Sequence, residues 1–213
     1  MGLLIGYEGI LRLVGSPPTE RNLVDQWMTR LLGWATPYEW VISVGIVMVG
    51  LAYVYGIRRE KANLTEWVFI LMIAEAAVWG MLLYKGLPLL VANLRTAYPA
   101  QLAWLTPDFW QGIGQCMGAG FYEELFFRVL LVEMLLVLFT GLRTQKATAF
   151  HQVAAWVLSA ALFSTAHFLY ETPTTYAFLY RLIFGLFMSG IYMLRSFGIT
   201  AWTHALYDIY TVI

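Results

Sequence analysis

Glu123 and Glu124 are adjacent, and Arg128 follows four residues after the second of them. All three lie in the apolar stretch 109–142, which reads Gly-Phe-Tyr-Glu-Glu-Leu-Phe-Phe-Arg through its middle. A charge at the centre of a membrane costs about 2.5–3.5 kcal/mol on insertion scales, so an ionisable group retained there points to a function. On a helix, neighbouring side chains diverge by about 100°, while residues four apart share a face. Glu124 and Arg128 are therefore expected to form an ion pair, with Glu123 pointing elsewhere. A structural salt bridge needs one carboxylate, and the second is surplus to it. Glu123 is thus the candidate general base, able to take a proton from an attacking water. His167 ends the run Phe-Ser-Thr-Ala-His that begins at Phe163, and His204 and Asp208 stand four apart on one face of the last helix. A single histidine in an apolar helix is ordinarily a packed core residue. Two of them with a buried glutamate pair read instead as a proton-transfer site. His151, at a helix start, reads as interfacial. Glu75 and Glu133 are expected to pair with neighbouring helices, and Arg181 to snorkel or brace.

The elements that must hold these groups are membrane helices. Hydrophobic residues make up 60% of the 213-residue chain and charged residues 12%, against about 25% charged in a soluble domain. Polar groups cannot cover a globular surface at that ratio. The 13 basic and 13 acidic residues cancel, so no nucleic-acid partner is implied. The single Cys116 excludes an intramolecular disulfide and a multi-cysteine metal site. Strand alternation is absent, which excludes an outer-membrane barrel. The first residues lack a basic run before Glu8, so no cleaved signal peptide is expected. The expected fold is all-α: a polytopic integral membrane helical bundle of about six transmembrane helices plus an N-terminal interfacial helix. Residues 1–39 form the amphipathic, interfacial segment. Residues 40–108 hold two transmembrane helices (40–57 and 67–84) and a connector carrying Pro88, Pro99 and Pro107. Residues 109–213 hold four more helices, at 109–142, 150–170, 176–194 and 199–213. Arg58, Arg59, Lys61, Arg143, Lys146 and Arg195 fall on one side, which the positive-inside rule makes cytoplasmic.

The three motifs also carry a family resemblance. Glu123-Glu124-Leu-Phe-Phe-Arg128 resembles the EExxxR motif of the CPBP family, the CAAX proteases and bacteriocin-processing enzymes also called Abi. Phe163 to His167 resembles its FxxxH motif, and His204 to Asp208 its His-xxx-Asn/Asp motif. They occur in the family's order over residues 121–208, and residues 1–108 carry no such motif. The resemblance implies an intramembrane endopeptidase of glutamic or metallo-dependent type, in a multi-pass protein of a prokaryotic cell membrane. It implies that Glu123 activates water, that His167 holds or polarises it, and that Arg128 fixes Glu124. His204 and residue 208 would then stabilise the oxyanion. Asp208 stands where many relatives have Asn, and a carboxyl donates only when protonated, so that role falls to His204 first and Asp208 second. The implied partners are the bilayer and a membrane protein or peptide substrate, including lipidated ones.

No cofactor is expected from the favoured reading. A zinc alternative would use Glu123, His167 and His204 as a His2Glu set with one open position. Two rival functions need no catalysis: a proton-coupled transporter, and an immunity or scaffold protein. Against the first, no inverted repeat is visible. Depth sets a condition on any shared site. At about 1.5 Å per residue, Glu123 and His167 lie about 25 Å from the Arg143 and Lys146 side. His204 would lie only about 8 Å from it in a straight last helix. The groups meet only if residues 196–203 dip into the bundle. That segment has no charge and contains Gly198.

Overall fold

A computed structural model describes residues 2–15, 22, 24–27, 45, 46, 48, 49, 66–91, 107–141, 147–169 and 171–212. Among these the chain is helical and contains no strand. In order they are α1 (Gly2–Leu13), α2 (Glu66–Leu90), α3 (Pro107–Gly118), two π-helical segments (Ala119–Glu123 and Leu125–Leu130), α4 (Leu131–Thr140), α5 (Ala149–Ala166), a 3-10 turn (His167–Leu169), α6 (Thr175–Leu194) and α7 (Phe197–Val212). Of the span expected at 40–57 only residues 45, 46, 48 and 49 are described, and all four are helical, while the basic loops around Arg58 and Arg143, and Pro99, lie outside the described residues.

Among the described residues three helices are long and apolar enough to cross a membrane: Trp67–Leu90, Ala149–Leu169 and Thr175–Leu194. The expected 109–142 span is helical throughout its described length, but π turns divide it and it carries the charges of the site. The last helix, α7, has 16 residues and is about 24 Å long. The expectation that the second span stops at Tyr84 is corrected, because α2 continues through Pro88 to Leu90. Leu83, Leu87 and Val91 are buried on one face four residues apart, and that packing holds the helix past a residue that removes one backbone donor. Its other faces present Trp67, Ile70, Leu71, Val78 and Leu82 outward, as a lipid-facing helix does.

The N-terminal helix is amphipathic, and its apolar side lies on protein. Leu3, Leu4, Tyr7 and Leu11 are all buried, and the helix packs along α3. At the other end of the chain, α7 runs beside α2: Gly198 lies against Met72, Gly80 against the backbone at Thr203 and Tyr207, and Tyr84 against Tyr210. The α6–α7 turn is thereby carried inward. Arg195 donates through Nε and Nη2 to both oxygens of Glu75, each at 2.6 Å. Glu75 is nine residues into α2, about 14 Å along its axis. The segment expected to dip is the first turns of α7, from Phe197, and is helical, not unwound.

The π segments bring the glutamates to α7. Gly120 is the point of closest approach, where a Cβ would stand 2.5 Å from the Ala201 carbonyl oxygen and 2.7 Å from Ala205 Cβ. Only glycine admits that contact. Replacement by Ala must therefore push α7 away. Gly120→Ala is expected to lower stability by about 1–3 kcal/mol, the usual cost of overpacking, as read by thermal unfolding in detergent. Gly190→Ala, where a Cβ meets nothing within 4 Å, is the control. Equal melting of the two variants would contradict this packing.

Candidate active site

Most of the charged and polar side chains singled out in the sequence converge between the π segments, the end of α5 and the middle of α7. An ordinary α-helix closes each turn with i→i−4 hydrogen bonds. A π turn reaches one residue further and is frequent at functional sites. Here two π segments flank Glu124. The irregular ladder is braced from outside: Ser159 of α5 donates its Oγ–H to the Phe127 carbonyl at 2.5 Å.

Glu124 is fully buried and sits at the centre of one branch of the site. Its Oε2 lies 3.2 Å from Arg128 Nε. Its Oε1 accepts from His204 Nδ1 at 2.7 Å. Arg128, also buried, donates from Nη2 to the Gly185 carbonyl at 3.4 Å and lies 4.7 Å over the Phe163 ring, a cation–π arrangement. His204 turns its other nitrogen, Nε2, to Asp208 Oδ2 at 3.4 Å. The Phe184 ring packs edge-on against its imidazole at 4.9 Å. The Arg128–Glu124 pair is thus present as expected, and it continues to His204. No sequence pattern announces the Glu124–His204 bond, since 80 residues separate the two.

Glu123 belongs to a second branch. Its Oε1 accepts from Asn22 Nδ2 at 3.0 Å, and its Oε2 lies 4.0 Å from His167 Nε2. His167 is set at the end of α5, where the helix tightens into the 3-10 turn. Its Nδ1 lies 2.9 Å from the Phe163 carbonyl. A carbonyl only accepts, so Nδ1 carries a proton, and Nε2 is the nitrogen that faces Glu123. Asn22 was not recognisable as a site residue: it lies 101 residues away in a segment without a motif.

The remaining titratable groups have other partners. Glu75 is held by Arg195 and by Trp79 Nε1 at 3.3 Å. Glu171, within reach of His167 by helical spacing, pairs instead with Arg181. His151 caps α5 reciprocally with Thr148. Glu133 is exposed on α4. A metal held by Glu123, His167 and His204 would need the three to share one focus. Among the described residues no group of three His, Cys, Asp or Glu side chains is placed to hold a metal ion. His204 instead directs its nitrogens to Glu124 and Asp208.

A model of the Rce1-like type II CAAX prenyl endopeptidases matches residues 104–210, half of the chain. The match includes all three motifs, and the chain belongs to this family, whose members are intramembrane endopeptidases. No curated protein and no solved structure matches it.

Breaking a buried ion pair by removing one partner typically costs about 3–5 kcal/mol, because the other charge is left buried. Arg128→Met keeps the apolar body and removes the cation. It is expected to destabilise the protein by about 3 kcal/mol, measured by thermal unfolding in detergent, with turnover lost as Glu124 and His204 shift. Melting at the wild-type temperature would contradict the central position of this pair.

Proposed function

We propose that this chain hydrolyses a peptide bond within the membrane by metal-free general-base catalysis. Its substrate is a membrane-bound or lipidated protein or peptide, and its base is Glu123. The observation that carries the reading is the 4.0 Å separation of Glu123 Oε2 from His167 Nε2. That is too long for a direct hydrogen bond. With Nδ1 committed to the Phe163 carbonyl, a neutral His167 and an ionised Glu123 face each other with two acceptors. Two acceptors at this spacing suit a single water that donates one O–H to each. Glu123 takes one proton, the hydroxide oxygen bonds to the scissile carbonyl carbon, and charge develops on the carbonyl oxygen. Collapse of that intermediate breaks the C–N bond, and the proton held by Glu123 passes to the leaving amine.

Oxyanion stabilisation is assigned to His204. Glu124 accepts from its Nδ1, which orients the ring and stabilises the imidazolium, in which Nε2 also carries a proton. Nε2 then donates to the developing charge, with Asp208 beside it as the second candidate when protonated. Dry surroundings strengthen both interactions. The family's name points to a substrate with a prenylated cysteine near its C-terminus.

The test uses a fluorogenic peptide ending in a farnesylated cysteine and three further residues, with the protein in detergent or liposomes. Glu123→Gln is expected to lower kcat by about 10²–10⁴-fold, the range for loss of a general base, and His167→Ala to lower it as well. A chelator is expected to leave the wild-type rate unchanged. Wild-type turnover in Glu123→Gln would overturn the mechanism, and loss of activity on chelation would replace it with a metal-dependent one.

A further inference from the structure

The geometry points to Asn22 as a positioning residue for the reaction: its side-chain amide holds Glu123 in the rotamer that faces His167. This rests on the reading of Glu123 as the base. Asn22 lies outside the stretch 104–210 that the family model matches. The N-terminal segment therefore completes a site whose motifs all lie elsewhere.

Two hydrogen bonds fix the amide, and two more anchor its backbone through Tyr7. The Val24 backbone N–H donates to Asn22 Oδ1 at 3.0 Å, which identifies that atom as the oxygen. The opposite atom is then the NH2 group, and its contact with Glu123 Oε1 at 3.0 Å is a donation to a carboxylate. The Asn22 backbone N–H donates to the Tyr7 hydroxyl at 3.0 Å. That hydroxyl in turn donates to Asp25 Oδ2 at 2.8 Å. Asn22, Asp25 and Glu123 are all buried, and Tyr7 has no exposed surface.

The network is anchored mechanically as well. The Tyr7 ring lies flush on Gly118, where a Cβ would stand 2.6 Å from its Cε2. It also meets Tyr122 edge-on, with centroids 5.7 Å apart. Tyr122 immediately precedes Glu123. Helix α1 thus locates both the helix that carries the base and the amide that orients it. Without the amide, Oε1 loses its donor and the carboxylate is free to rotate away from His167. A displacement of about 1 Å at a reacting group can cost on the order of a hundredfold in rate.

Asn22→Asp is the sharpest probe. It keeps the shape and the oxygen that accepts from Val24, and replaces the donor by a second carboxylate facing Glu123. Turnover of the farnesylated peptide is measured for wild type, Asn22→Asp, Asn22→Ala, Asn22→Gln and Glu123→Gln, with a melting curve for each. The expected result is a kcat for Asn22→Asp reduced by roughly ten- to a hundredfold. KM should stay within about twofold, and the fall in kcat should exceed what any loss of melting temperature explains. Asn22→Gln, which retains an amide donor, should keep more activity than Asn22→Ala. Wild-type kcat in Asn22→Asp beside an inactive Glu123→Gln would overturn this inference and leave the mechanism standing. A fall in activity matched by a fall in melting temperature would reduce Asn22 to a structural role and overturn it too. Full activity in Glu123→Gln would instead remove the base on which the inference rests.

Discussion

A carboxylate with no exposed surface must be compensated, and the bundle is arranged around meeting that need for Glu124. Removing an ion from water costs several kcal/mol even after the protein relaxes. Arg128 supplies the charge from one turn along the same helix, 3.2 Å away. His204 supplies a hydrogen bond from α7 at 2.7 Å. Arg128 is itself buried and leans on the Gly185 carbonyl and the Phe163 ring. One buried charge therefore ties together the π segments, α5, α6 and α7. The features that allow this are packing features: glycine at 120, where α7 comes closest, and an α6–α7 turn drawn inward by Arg195 on Glu75.

The adjacent carboxylate, Glu123, is released from structural duty by the same geometry. Neighbouring residues on a helix face different directions, and here those directions lead to different partners. Glu124 meets a cation and an imidazole that already holds it. Glu123 meets an amide that orients it and an imidazole 4.0 Å away. The pair is best understood as one anchor and one free group. An isolated glutamate at this depth would have to be both, and an ionised carboxylate engaged by an arginine is a poor acceptor for a further proton.

Much of this was legible in the sequence, and the parts that were not have physical reasons. Helices α5, α6 and α7 lie within two residues of where apolar runs and their breakers place their starts, and Gly141 ends α4 with φ at 72°. The i,i+4 spacings at Glu124–Arg128 and His204–Asp208 gave local contacts, because helix geometry fixes them. Pro88 misled, since burial of Leu87 and Val91 outweighs a missing donor near a helix end. The π segments were invisible, because side-chain pattern does not report an extra backbone residue per turn. The Asn22–Glu123 and Glu124–His204 bonds span 101 and 80 residues, and a single asparagine in a mixed N-terminal stretch carries no periodic signal. The N-terminal helix was readable as amphipathic, but composition alone does not say whether an apolar face meets lipid or protein.

The central claim, that the two glutamates divide anchoring from chemistry, is tested most directly by measuring kcat and melting temperature together for Glu123→Gln and Glu124→Gln. The account predicts that Glu123→Gln lowers kcat by about 10²–10⁴-fold while melting close to wild type, and that Glu124→Gln loses both turnover and stability, since it leaves Arg128 buried without its counter-ion. Equal losses of stability in the two variants, or retained turnover in Glu123→Gln, would contradict it.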